Sequence, residues 1–186
     1  MIEASKKAFA ALKDNGLLLL QDKRLANLVN VVTGDTPAGS WWSHPRSGLV
    51  FQVLSELSDH PDVLLTKLVN KKVTLVHRKL WPALWTIVAQ PEPWQLKGLS
   101  AAAKRLLDQE HIVASGAAVK EIEMRLLAHT REVHSDSGKH EVAVQPWAVW
   151  AQQNKVKPLR SAAIAKKQFE RAVERIGGDR TMLPWL

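Results

Sequence analysis

The 186-residue chain contains no cysteine and no tyrosine. Without cysteine the protein has neither a disulfide framework nor a thiol nucleophile, which is typical of proteins from a reducing compartment. Long apolar runs are also missing. The four leucines at 17–20 are far too few to cross a bilayer, and residues 1–16 lack the apolar core of a signal peptide. We therefore expect a cytoplasmic protein that has no membrane segment.

The motifs that usually identify an enzyme are absent as well. The sequence has no Walker loop, no GxGxxG, no GxSxG, and no HExxH or zinc-finger spacing among its seven histidines. His134 and His140 flank a predicted hairpin turn, where they are metal-ligand candidates or simply polar residues of the hairpin. We expect no cofactor and no bound metal, and the sequence leaves catalytic activity open.

Positive charge is concentrated in one segment. The formal net charge is +8, and residues 155–175 contain seven Lys or Arg and two Glu, which leaves +5 in that segment. A local excess of this kind favours a polyanionic partner such as nucleic acid. The alternative is the solvated face of a helix in a generally basic protein.

Residues 116–150 predict a helix followed by a β-hairpin. Val119 and Ile122 begin the apolar face of the helix, and residues 130–134 and 141–144 then alternate polar with apolar. A polar turn that contains Gly138 separates the two alternating runs. A helix followed by a polar-tipped hairpin is the back half of a winged-helix module, which commonly binds nucleic acid.

The remaining patterns predict a second hairpin, several helices and short strands. The hairpin comprises residues 63–69 and 73–78, with Asn70 in its turn. The predicted helices are 3–14, 23–33 with Asp22 as N-cap, 46–58, 80–89, 100–110 capped by Ser100, 116–127 capped by Ser115, and 158–176 beginning at Pro158. Residues 17–20 are interpreted as a short strand or an extended linker, and residues 112–113 as a short strand. The fold class predicted is α+β, mainly helical and winged-helix-like, with two β-hairpins.

The segment Gln90-Pro91-Glu92-Pro93 is the clearest linker in the sequence. It divides the chain into a predicted N-terminal part, 1–92, with its hairpin, and a winged-helix-like part, 93–186, with the basic C-terminal helix. The interval between helices 100–110 and 116–127 is too short for the third helix of a usual winged helix. The second part is therefore expected to be a reduced form of that module.

Cations on the predicted helix, on the hairpin and on the C-terminal helix are the candidate phosphate contacts. In a winged helix one helix enters the major groove and the wing touches the backbone or the minor groove. The candidates are Lys120, Arg125, Arg131, Lys139, His140, Arg160, Lys167 and Arg171.

A second candidate site contains two of the eight tryptophans. Trp41 and Trp42 lie in a turn-rich segment beside His44 and Arg46, and exposed aromatics next to a cation are what a base-stacking pocket needs. The alternative is a hydrophobic plug that holds the loop to the body of the protein. We expect the end of the first hairpin to lie near this loop and to complete a basic cleft. The cleft residues would be Trp41, Trp42, His44, Arg46, His77 and Arg78.

Two segments, WWSHPRSGLVFQVLSELSDHPDVLLTKLVNKKVTLVHRKLWPALW and EVHSDSGKHEVAVQPWAVWA, resemble a bacterial family related to AlkZ. The resemblance extends over most of residues 1–155. The AlkZ and YcaQ proteins themselves resemble tandem winged helices and are DNA glycosylases with a Gln-x-Gln or Gln-x-Asp motif on a strand. Neither motif occurs in this sequence. Gln145 is the only glutamine at a strand end near the wing, and Trp147 stands two residues after it. The resemblance therefore implies a winged-helix fold and a connection with DNA.

Taken together, these features predict a winged-helix-like protein that binds nucleic acid, DNA more than RNA, without catalysis. One alternative is a reduced DNA-repair enzyme of the glycosylase type that acts on alkylated DNA. The other is a module that docks a protein partner. The sequence does not decide the oligomeric state.

Overall fold

The computed structural model describes residues 1–109, 112–134 and 140–186. The fold is α+β and mainly helical, with two small three-stranded antiparallel sheets. In each sheet the last strand in the sequence lies in the middle, giving the orders β1-β3-β2 and β4-β6-β5. The predicted fold class and both predicted hairpins are confirmed.

The first sheet belongs to a module formed by residues 1–80, which we call the first module. Its elements are α1 (Glu3–Asn15), β1 (Leu17–Leu19), α2 (Leu28–Thr33), α3 (Ser47–Ser58), β2 (Val63–Lys67) and β3 (Val73–His77). This order, with β1 paired to β3, is that of a winged helix. Asn70 and Lys71 adopt positive φ in the turn between β2 and β3, so this turn is the wing of the module.

Residues 17–19 are a strand, although every one of them is apolar. Leu17, Leu18 and Leu19 are all fully buried, because helices cover one face of the sheet and a second core cluster covers the other. A strand buried on both faces shows no polar–apolar alternation. The sequence therefore left a strand and a linker open as alternatives.

The predicted helix over 23–33 begins later than expected, and Asp22 is not its cap. α2 starts at Leu28, and the Asn27 side chain accepts a hydrogen bond from Asn30 N–H as the N-cap. Asp22 instead accepts from the backbone N–H groups of Arg24 and Leu25 and pairs with Lys72. Burial alone would raise the pKa of Asp22, but these bonds outweigh it and hold the pKa at about 2.

The second sheet belongs to residues 99–145, which we call the second module. It contains α6 (Ala101–Leu107), β4 (Ile112–Ala114), α7 (Ala117–Met124), β5 (His129–His134) and β6 (His140–Gln145). β4 is followed by α7 after two residues, so the expected absence of an intervening helix there is confirmed. Ser100 caps α6 as predicted. Ser115 does not cap α7, because Gly116 occupies the N-cap position without a side-chain bond.

The remaining helices pack in a cluster that also contains residues of both modules. They are α4 (Trp81–Val88), α5 (Pro93–Leu96), α8 (Trp147–Gln153) and α9 (Ala162–Arg175). The sequence did not predict α8, and α9 starts after the N-cap Ser161 rather than at Pro158. A buried cluster joins both predicted parts of the chain, because it contains Leu17, Val76, Leu84, Trp150 and Phe169. The predicted boundary near residue 92 stays a prediction.

In the part of the chain that the structure describes, no helix is both long enough and apolar enough to cross a membrane.

Candidate nucleic-acid interface

The exposed side of α9 carries a row of cations. Lys167, Arg171 and Arg175 recur every four residues, and all three are exposed. Residues four apart lie on one face of a helix, so the row extends over about 12 Å. Ala165, Phe169, Ala172 and Val173 occupy the buried face. We call the row of Lys167, Arg171 and Arg175 the basic stripe. Arg160 is also exposed, just ahead of the helix.

The basic stripe ends against the C-terminus of α1. The Arg175 guanidinium donates to the carbonyl of Asn15 at 3.5 Å, and Lys79 Nζ donates to the carbonyls of Lys13 and Asp14. Partial burial, and then the charge of Arg175, lower the pKa of Lys79 below its ordinary value. Lys79 therefore lies within the field of Arg175, and the positive surface continues beyond α9.

Acidic residues only partly offset this charge. Glu170 is half-buried and Glu174 is exposed, each one turn from a cation of the stripe. Lys166 lies on a different side of α9, where its Nζ is 2.7 Å from Glu92 Oε1. Lys166 is thus a structural ion-pair partner between α9 and α5, and we exclude it from the basic stripe.

Arg125, a predicted phosphate contact on the helix, has structural partners instead. It follows the end of α7, and its Nη1 donates to the carbonyls of Gln95 at 3.1 Å and Lys97 at 2.8 Å. Its Nη2 is 3.3 Å from Glu121 Oε1. The guanidinium therefore connects α7 to the α5 segment. Lys120, in contrast, is exposed on α7.

Arg131 of the hairpin does not share a surface with Lys120. Thr130 in β5 donates to Glu123 of α7 at 3.0 Å, so its side chain faces that helix. Neighbouring side chains of a strand point to opposite faces, so Arg131 lies on the face turned away from α7. The expectation of one shared helix-and-wing surface is wrong for this pair. Lys139 lies outside the described residues, as does the side chain of His140, whose backbone pairs with His134 in the hairpin.

The loop between α2 and α3 is held by hydrogen bonds at both ends. Gln21 donates to the carbonyl of Gly39 and accepts from the N–H of Trp41. His44 Nε2 is 3.0 Å from Asp35 Oδ1, and Arg46 donates to the carbonyl of Thr33. His44 and Arg46 therefore have structural partners that fix the course of the loop.

The two adjacent tryptophans differ in exposure. Trp41 is 6% exposed and contributes to the core of the first module, whereas Trp42 is 61% exposed. Their rings stack with centroids 3.9 Å apart and an angle of 26°. The alternative of a hydrophobic plug thus describes Trp41, and Trp42 is presented to solvent on top of it.

A groove of about 400 Å³ lies beside this pair. We call it the aromatic groove, and its walls include Gln21, Trp41, Trp42, Lys67, Lys71 and Lys72. The three lysines were not among the predicted site residues. Lys71 and Lys72 belong to the wing turn, which the sequence did indicate through Asn70-Lys71-Lys72. Nothing in the sequence indicated that this turn lies beside Trp42, because the two are far apart along the chain.

The predicted contribution of His77 and Arg78 to this groove is wrong. Both lie at the end of β3 opposite to Val73, the strand residue that borders the groove. Burial, followed by the charge of Lys79, lowers the pKa of His77, and its Nδ1 accepts from the N–H of Lys79. Arg78 donates to the carbonyl of Asn154 and lies over the ring of Trp81.

The strand-end Gln145 has a neighbour that sequence reasoning missed. Its Nε2 donates to Gln153 at 3.0 Å, and it also hydrogen-bonds His129. Burial is the main reason that the pKa of His129 falls to about 4, with the bond to Gln145 opposing this shift. Trp147 and Trp150 pack near the His129 ring. Across the described residues no three His, Asp or Glu side chains gather as a metal-binding cluster.

Comparisons with protein-family models, with curated proteins and with solved structures gave no significant match. The resemblance to the family related to AlkZ therefore stays a prediction.

Proposed function

We propose that the protein binds nucleic acid, DNA in preference to RNA, and that the basic stripe supplies contacts to the phosphate backbone. The basic stripe is the observation that carries this proposal: Lys167, Arg171 and Arg175 are exposed on one face of α9, and the opposite face of that helix is packed in the core. Lys79, which lies within the field of Arg175, extends the positive charge at one end. Phosphate contacts of this kind position a protein on DNA without reading its sequence.

The spacing of the basic stripe suits a phosphate backbone. Its length of about 12 Å corresponds to three or four phosphates of one strand, which follow each other at about 3.4 Å along the duplex axis. The two winged-helix-like modules favour DNA over RNA, because helix-turn-helix folds use the wide major groove of B-form DNA. A-form RNA presents a major groove too narrow for a helix.

The salt dependence of binding tests this proposal directly. Anisotropy titrations of a labelled DNA duplex would compare the natural protein with the double variant Lys167→Gln/Arg171→Gln. Each lost phosphate contact reduces the slope of log affinity against log salt by about 0.9, so the double variant is expected to lower it by about 2. An RNA duplex of the same sequence tests the preference for DNA.

A matched control is available on α6. Lys104 and Arg105 are also exposed and also lie on a helix, so Lys104→Gln/Arg105→Gln removes the same charge elsewhere. The proposal requires that this control keep the slope of the natural protein. Equal loss in both double variants would show an effect of net charge alone, and no binding to duplex DNA at low salt would reject the proposal.

A further inference from the structure

Trp42 and Phe51 are large apolar side chains that the fold leaves in solvent. Trp42 is 61% exposed and Phe51, on α3, is 54% exposed, with ring centroids 5.8 Å apart. Trp41 covers one face of the Trp42 indole, so the exposed surface lies on the side away from Trp41. Exposing a Trp costs favourable burial, and an aromatic surface of this kind indicates a binding site.

The position of Trp42 is set before any ligand binds. Trp41 anchors it from below with almost complete burial, and Ser40 caps the short helical turn by accepting from the Trp42 N–H at 3.4 Å. The bonds of Gln21 to Gly39 and Trp41 fix the loop to the segment that follows β1. A rigid platform loses little conformational entropy on binding, which favours affinity.

The charges around the aromatic groove identify its occupant. Lys67 is paired with Glu123, and Lys72 with Asp22, so these two cations are largely neutralised. Lys71 is exposed at the wing, and within the described residues no carboxylate lies at ion-pair distance from it. A flat aromatic surface beside a cation fits a base and its phosphate. The same cation would disfavour an apolar protein segment.

We propose that the aromatic groove binds an unpaired nucleotide, whose base stacks on Trp42 and whose phosphate contacts Lys71. This inference rests on the proposed nucleic-acid binding and specifies its substrate class as DNA with an unpaired or single-stranded segment. Stacking accepts every base, so the site would show little sequence preference.

Binding to single-stranded and duplex DNA separates this site from the basic stripe. The probes are oligo(dT) of about 12 nucleotides, within the site size of a single-strand-binding fold, with one central 2-aminopurine, and a perfect duplex. Trp42→Ala is expected to weaken binding to the single strand by about tenfold, the loss expected for one stacked base. Duplex affinity is expected to stay the same. Stacking on Trp42 also quenches 2-aminopurine fluorescence, and Trp42→Ala is expected to abolish that part of the quenching.

Two further variants control for folding and for general apolar effects. Trp42→Phe keeps a stacking ring and is expected to retain most of the single-strand affinity and quenching. Leu96→Ala truncates another exposed apolar side chain, outside the groove, and is expected to leave both probes unaffected. Circular dichroism of each variant verifies that the fold is intact.

The outcomes distinguish the two proposals. If the natural protein binds both probes and Trp42→Ala binds them equally well, the stacking site is rejected while nucleic-acid binding stands. If the natural protein binds neither probe, both proposals fail. If Trp42→Ala leaves DNA binding unchanged but converts a dimer to a monomer by light scattering, the aromatic groove is a protein interface and the stacking proposal is overturned.

Discussion

The two winged-helix-like modules have the same strand order but differ in the size of the core cluster that their described residues form. The described core cluster of the first module has twelve buried apolar residues, whereas that of the second has six. The second module lacks a helix between β4 and α7, and its Leu126 packs into the cluster shared with α4, α8 and α9. The first module also contributes to that shared cluster, through residues such as Leu17, Leu64 and Val76. Similar topology thus coexists with local cores of different described size that one shared cluster connects.

The largest expected effect is the loss of stability when one buried side chain in each core cluster is shortened to alanine. Leu75 in β3 and Ile122 in α7 are both fully buried, in the larger and the smaller cluster respectively. Leu75→Ala is expected to lower the free energy of unfolding by about 4 kcal/mol and Ile122→Ala by about 2 kcal/mol, because the smaller core collapses more easily around a cavity. Urea denaturation measures both losses. A greater loss for Ile122→Ala would contradict the contrast.

The second expected effect is a pH dependence specific to the second module. His129 has a pKa of about 4 in the folded protein, and the ordinary histidine pKa of 6.5 applies to the unfolded chain. Between these values the unfolded chain binds more protons, so stability is complete above pH 6.5 and falls as pH decreases toward 4. The expected loss is about 3 kcal/mol. Urea denaturation across this range checks it.

The variant His129→Phe is expected to remove this pH dependence while keeping an aromatic ring beside Trp147 and Trp150. The quantity of interest is the difference in the free energy of unfolding between the natural protein and the variant, since other titrating groups contribute equally to both. If that difference does not change between pH 6.5 and 4, His129 is not the group responsible.

The first module, and α5 beside the second module, each use a buried side-chain amide to satisfy backbone groups. Asn27 donates to the carbonyls of Asp22 and Leu25, and Gln95 donates to those of Arg125 and Leu126. Each amide also accepts from one backbone N–H. Asn27→Ala and Gln95→Ala are each expected to cost about 2 kcal/mol, because two carbonyls lose a hydrogen-bond donor and one backbone N–H loses its acceptor. Chemical denaturation tests this, and a loss confined to one variant would break the parallel.

The smallest expected effect concerns the ion pair between the modules. Lys67 of β2 contacts Glu123 of α7, and both side chains are about a quarter exposed. A double-mutant cycle with Lys67→Met and Glu123→Gln is expected to give a coupling energy of about 0.5 to 1 kcal/mol. The exposed pair Lys6–Glu3 serves as the control, with a coupling near zero. Equal coupling energies for the two pairs would show that the ion pair between the modules adds no more stability than an exposed pair.

Elements with a clear period were predictable from the sequence. The hairpin of β5 and β6 followed from polar–apolar alternation, that of β2 and β3 from two β-rich runs around Asn70, and Ser100 marked the start of α6. α8 was missed because seven residues are too few to show a helical period, and its tryptophans resemble a buried strand equally well. β1 was left open because it is buried on both faces and has no alternation.

For the candidate site, the sequence determined which residue types were present, and the basic segment it singled out does form an exposed row on α9. Only the tertiary structure decided which cations share a surface. The strand register turns Arg131 away from α7, and Arg125 donates hydrogen bonds to backbone carbonyls. Lys71 and Trp42 line the same groove although they are distant in the sequence. Likewise, two adjacent and identical tryptophans differ tenfold in exposure. The physical reason is that local patterns set the period of a segment, whereas burial and partnership depend on contacts between residues distant in the chain.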